Sequence, residues 1–175
     1  TVSLGPQKIT CNLIIKSGTL NVTGPLWITG NIDIRTGSTI QMDSGLGNQN
    51  VAVIADNPSD RSGSGTITIG QSSYFLGSGE PGSFVFLISQ NNSAETGGST
   101  AAISQNQGAA ALVAYASHGL ATMNQSANVK EVTAYKITLE QTANVTYESG
   151  LPSTLFQTGP GASWAFDPGS YVIEQ

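Results

Sequence analysis

Residues 19–42 read TLNVTGPLWITGNIDIRTGSTIQM, and the spacing of their apolar positions decides the fold. Apolar pairs recur as Leu20/Val22, Leu26/Ile28, Ile32/Ile34 and Ile40/Met42. Within each pair the residues stand two apart, which is the period of a strand with one face inward. From pair to pair the step is six, six and then eight residues, and Gly24, Gly30, Gly37 and Gly45 close the units. Hairpins would call for Asn-Gly or Asp-Gly turns, and this stretch has none. The units are also shorter than the turn-to-turn spacing of about 8–12 residues in a β-sandwich. Short strands that repeat without helical interruption predict a single-stranded, right-handed parallel β-helix with three faces per coil. At roughly 20 residues per coil the chain makes about seven coils.

The pattern extends outward less regularly. Val51–Ile54 reads as a buried strand, followed by a polar insertion over 55–65. Thr66–Ile69 and Tyr74–Leu76 resume the strands, and Phe84–Ile88 is apolar enough to be buried on both sides. A second polar insertion covers 89–100. Strands are expected at 101–103, 110–114, 120–123, 129–132, 136–139 and 145–147. The chain is read as one domain, 1–175, with coils over 1–154. Phe156, Trp164, Phe166 and Tyr171 suit residues 155–175 to a C-terminal aromatic cap or return strand.

Composition agrees with strands whose outer faces carry neutral side chains. Only 10% of residues are charged, against roughly 25% in an average soluble domain. Hydrophobic residues make up 38%, which separates the chain from disordered sequences. The net charge is −5, and Lys8, Lys16, Arg35, Arg61, Lys130 and Lys136 are scattered, so no basic stripe is available for nucleic acid. The single cysteine, Cys11, excludes an intramolecular disulfide and a cysteine-based zinc site, and it is expected as a small core residue. No stretch is long and apolar enough to span a membrane, so no membrane contact is expected of these residues. The start at Thr1 suggests a mature or trimmed fragment.

The segment AYASHGLATMNQSANVKEVTAYKITLEQTANVTYESGL, 114–151, resembles the end of a β-solenoid domain found in PilX-like bacterial pilus-assembly proteins. The matching elements are Tyr115-Ala116-Ser117-His118-Gly119, then Ala127-Asn128-Val129, then Val145-Thr146-Tyr147-Glu148-Ser149-Gly150-Leu151. The glycine-rich GPGASW, 159–164, is similar to the family's tail. The Gly-Ala-Val usual between the family's last two coils is replaced here by Val129-Lys130-Glu131-Val132. The resemblance implies a β-solenoid that follows a prepilin-like hydrophobic helix, and it brings no catalytic residues.

Candidate chemistry was sought in several places. Asp33 and Asp43 lie about half a coil apart and should point from different faces, against a paired-carboxylate site. Asp56 and Asp60 in DNPSD have a spacing that can hold calcium, but without a DxDxDG pattern an Asx-type turn is favoured. His118, the one histidine, follows Ser117 too closely for a triad and reads as part of a coil corner ending at Gly119. Asn21, Asn91, Asn124 and Asn144 begin sequons expected from composition alone. Of Thr-x-Thr spacings suited to ice, the chain offers only Thr66/Thr68. No catalytic, cofactor or metal residues are assigned.

The expected function is a non-enzymatic, extracellular structural or adhesive module of a type IV pilus-like or cell-surface apparatus of a bacterium. Its expected partners are other pilus or surface proteins and surface glycans, met through the loops 55–65 and 89–100. One alternative is a carbohydrate-binding or carbohydrate-active β-helix with Trp27, Tyr74 or Tyr135 in its groove. The other is a solenoid scaffold that assembles end to end.

Overall fold

A computed structural model describes residues 1–106, 108, 110–146 and 155–156 of the 175-residue chain. Its strands come in threes. The first set is β1 (Val2–Leu4), β2 (Gln7–Ile9) and β3 (Leu13–Ile15). The next is β4 (Gly18–Val22), β5 (Leu26–Ile28) and β6 (Ile32–Ile34), followed by β7 (Ser38–Met42), β8 (Gln49–Ala55) and β9 (Ile67–Ile69). β10 (Tyr74–Leu76), β11 (Val85–Ser89) and β12 (Ala101–Gln105) complete the fourth set. Every strand through β9 pairs in parallel with the strand three places further on. Three rows of parallel strands result. The first holds β1, β4, β7 and β10, the second β2, β5, β8 and β11, the third β3, β6, β9 and β12.

β13 (Ala110–Met123) and β14 (Asn128–Leu139) each run through all three rows, and β15 (Asn144–Val145) pairs with the start of β14. The sequence divided this region into separate strands. Their corners carry no insertion, so ladder bonding continues around them, with register shifts between Ala110 and Leu112 and between Ala116 and Leu120. The one helix among the described residues is a 3₁₀ turn, Ser44–Leu46, opened by Asp43. The chain is all-β with parallel sheets, consistent with the parallel β-helix its repeat implies.

The core lies between the rows. All eight residues of the four apolar pairs in 19–42 are at most 4% exposed. They stack in register: Leu20 on Ile40 and Ile40 on Phe75, Leu26 on Val53 and Val53 on Leu87, Ile32 on Ile67 and Ile67 on Ile103. Burying one such side chain contributes about 1.5–3 kcal/mol. Gly37 sits at a corner with φ +73°, a backbone setting that L side chains rarely adopt. Along the first row the residue steps are 18 for Val2 to Leu20 and 20 for Leu20 to Ile40, but 35 for Ile40 to Phe75. The longer step absorbs the insertions.

Four readings need correction or extension. Cys11 is exposed, because it falls in the bend between β2 and β3 rather than within a strand. Phe84–Ile88 is partly two-sided: Val85 and Leu87 face the core, while Phe84 packs outside with Val113 and half-buried Phe86. A third insertion, 77–84, separates β10 from β11, in addition to the two that the sequence marks. Of the expected cap, 155–175, only 155–156 are among the described residues; they form β16 (Leu155–Phe156), parallel to Gln49–Asn50 of β8.

Candidate functional site

The outer face of the second row is the most distinctive surface of the described residues. Register aligns Lys8, Trp27, Ile54, Ile88, Tyr115 and Thr133 in one ladder across β2, β5, β8, β11, β13 and β14. Strand alternation explains why these side chains face out. Their neighbours Leu26, Ile28, Val53, Ala55, Leu87, Ser89, Ala114 and Ala116 are buried. Trp27 is 39% exposed and Tyr115 40%, with half-buried Ile54 and Ile88 between them. The Lys8 ammonium lies 4.2 Å from the centre of the Trp27 ring, a cation–π contact that orients the indole.

Two residues beyond the ladder stand Thr29, Asp56, Gln90 and Ser117. Asp56 is almost fully buried, and its carboxylate accepts from Arg61 Nε at 2.8 Å and Nη2 at 3.2 Å. The pairing holds the Arg61 guanidinium more firmly protonated than usual, first through the hydrogen bond and then through the charge itself. This ion pair sits where insertion 55–65 leaves β8.

The two insertions expected as recognition loops stack on each other at this corner rather than projecting separately. The buried Asn91 side chain donates to Ser62 O at 3.3 Å and Ser64 O at 2.8 Å, and Asn92 N–H donates to Arg61 O at 2.9 Å. Ser89 Oγ donates to Gly65 O at 2.6 Å. Below them, Asn31 Oδ1 accepts from Ser64 Oγ and Thr66 N–H, both at 3.1 Å. Above them, Glu95 N–H donates to His118 O at 3.2 Å, and Glu95 Oε2 meets His118 Nδ1 at 2.9 Å. Gly119 completes the fit, since a Cβ there would lie 2.7 Å from Asn91 O and run into Ala102.

The other sequence candidates separate. Asp33 is in the third row, paired with Arg35 at 3.0 Å, whereas Asp43 directly follows β7 of the first row and accepts from Asn21 at 2.7 Å. The two carboxylates therefore face apart, as expected. Asp60 caps its own turn by accepting from Gly63 N–H at 2.8 Å, and Asn57 does the same for Ser59 at 3.3 Å, the favoured Asx-type arrangement. His118 and Ser117 lie at the corner, where the histidine engages Glu95, a partner the sequence did not signal. Asn91 is fully buried, which removes it as a glycan acceptor in the folded chain.

Aromatic grouping also changes. Tyr74 lies in the first row and does not share a face with Trp27, whereas Tyr115 does; Tyr135 stands in β14 two residues beyond Thr133 of the ladder. A further outer column, Thr68, Ser104, Thr122 and Thr138, runs along the third row, and only its first member was noted from sequence. Both alignments depend on insertion lengths that no local motif encodes.

No family model, curated protein or solved structure matches this chain. Of the residues quoted for the resemblance to the PilX-like domain, 147–151 and 159–164 lie outside the described residues.

Proposed function

We propose that this chain is a non-enzymatic structural and adhesive module displayed outside a bacterial cell, on a type IV pilus-like or other surface apparatus. Its scaffold in this reading is a right-handed, three-faced β-helix of about seven coils closed by the aromatic C-terminal segment. The observation that carries the reading is the outer face of the second row. A rigid parallel core holds an ordered ladder of aromatic and aliphatic side chains in contact with solvent, flanked by two interlocked loops. An apolar ladder whose two aromatic ends, Trp27 and Tyr115, reach solvent is a surface suited to interaction rather than solubility. The low charge and the likeness to the PilX-like domain support placement in a surface apparatus.

Antibody labelling of intact cells tests the proposal. Surface labelling, with the protein recovered in sheared pilus or envelope fractions, is the expected result. Labelling that appears only after permeabilisation would overturn it.

A further inference from the structure

We infer that the outer face of the second row binds a neutral, extended polysaccharide chain laid across the strands. The inference rests on the adhesive reading above and names the ligand class of that face. Trp27 and Tyr115 mark the two ends of its apolar stretch, with β8 and β11 between them. Three strand spacings place the two rings about 14 Å apart along a straight ladder. Ile54 and Ile88 fill the interval with a low, apolar floor. A sugar ring presents a C–H face to an aromatic platform and its hydroxyls at the edge; Tyr115 is one such platform, and Trp27, with Lys8 over one face of its ring, is the other. Past the ends of the ladder strands, half-buried Gln90 and Ser117 are neutral polar residues, and the part-exposed Arg61 guanidinium is held by buried Asp56.

Charge selects a neutral chain. From Trp27 to Tyr115 the ladder carries no ionisable group other than the tyrosine phenol. The cations near it are engaged: Lys8 over the indole and Arg61 with Asp56. An acidic polymer would have to displace those contacts to find a counter-charge. An extended peptide is disfavoured for a different reason. β5, β11, the middle of β13 and β8 over Val53–Ala55 are hydrogen-bonded along both edges, so none of these stretches can accept an added strand. A peptide on this face would leave its own backbone groups to water.

Affinity electrophoresis of the purified chain in gels containing β-glucan, xylan, mannan or alginate tests the inference, alongside a glycan microarray. At least one neutral polysaccharide should retard the protein, and alginate should not. Trp27→Ala and Tyr115→Ala should each weaken binding about tenfold, the loss of one stacking contact of the stronger kind. Tyr74→Ala, on another row, should leave binding unchanged. Both ladder residues are substantially exposed, so circular dichroism and melting should match the parent. Retention by no neutral polysaccharide, or undiminished binding by both ladder variants, would overturn the inference. So would a concentration-dependent dimer that Trp27→Ala returns to monomer, since a second copy would then occupy the face. Surface labelling of intact cells is independent of all these outcomes, so a failed ligand can be told from a failed location.

Discussion

Asn31 illustrates how much a single side chain does at a corner of this fold. Its backbone N–H donates to Asn12 Oδ1 at 2.9 Å, while its own Oδ1 receives Thr66 N–H and Ser64 Oγ. One residue therefore ties three successive sets of strands together, through its backbone N–H to the first and its side-chain amide to the third. Asn31→Ala should cost about 1–3 kcal/mol, because the Thr66 N–H loses its acceptor in a half-buried place. Asn31→Asp keeps an acceptor and should recover most of that loss. Urea denaturation at constant m-value measures both; equal stability of the alanine variant and the parent would refute the role. Asp43 carries a pH-dependent counterpart. The Asn21 amide, with help from the Gly45 N–H, holds its carboxyl below the ordinary carboxylate range. A carboxylate depressed in the folded state stabilises above its unfolded pKa and loses that contribution as pH falls through the folded value. Asn21→Ala should therefore raise the Asp43 pKa and reduce the acid sensitivity of folding, read by NMR titration of the side-chain carboxyl. An unmoved Asp43 titration would remove Asn21 as the cause.

Among the elements, β3 and β6 give a direct comparison because they are adjacent in the same row. Ile32 is 1% exposed and stacks between Leu13 and Ile67, whereas Ile14 is 48% exposed on the outer face. Ile32→Ala should cost about 2–5 kcal/mol through lost transfer energy and the cavity left behind. Ile14→Ala should stay within about 0.5 kcal/mol. Comparable melting shifts for the two would contradict the inward and outward assignments. This part of the fold was legible in the sequence for a physical reason. In β4 to β7 each strand is short, ends near a glycine, and shows its buried pairs two residues apart, so local pattern and burial coincide. Register further along was not legible. Ile54 pairs with Ile88, and Ile88 with Tyr115, at steps of 34 and 27 residues. Those steps depend on how much chain the insertions consume before the next strand begins. The grouping of Trp27 with Tyr115, and the stacking of the loops, exist only once that length is fixed. Cys11 failed for a related reason: a bend between two three-residue strands keeps apolar neighbours close in sequence without burying what lies between.

At the scale of the whole molecule, parallel stacking makes stability depend on position along the rows. β5 and β8 have a hydrogen-bonded neighbour on each side, whereas β1, β2 and β3 each have one. Burial follows the same order: Leu4, Ile9, Leu13 and Ile15 are only partly buried, while the residues they stack on, Val22, Ile28, Ile32 and Ile34, are at most 1% exposed. In a stack where each repeat contacts only its neighbours, stability is close to a sum of repeat and interface contributions, so an end with one interface opens first. Hydrogen exchange should therefore be slowest for amides in Leu26–Ile28 and Val51–Ala55. It should be faster in Val2–Leu4, Gln7–Ile9 and Leu13–Ile15, although all these segments are strands with similar side chains. The corner that joins the two large insertions adds a second expectation. Asn91 and Ser89 lock the loops to Gly65, Ser62 and Ser64, so the amides of Asn91 and Ser93, which bond to side chains inside the loop, should exchange with the middle strands rather than as free loop residues. Exchange measured by mass spectrometry on the intact chain decides the matter. Uniform protection from β1 to β8 would mean that the molecule opens as one cooperative block, and the additive picture of stacked strand sets would have to be abandoned.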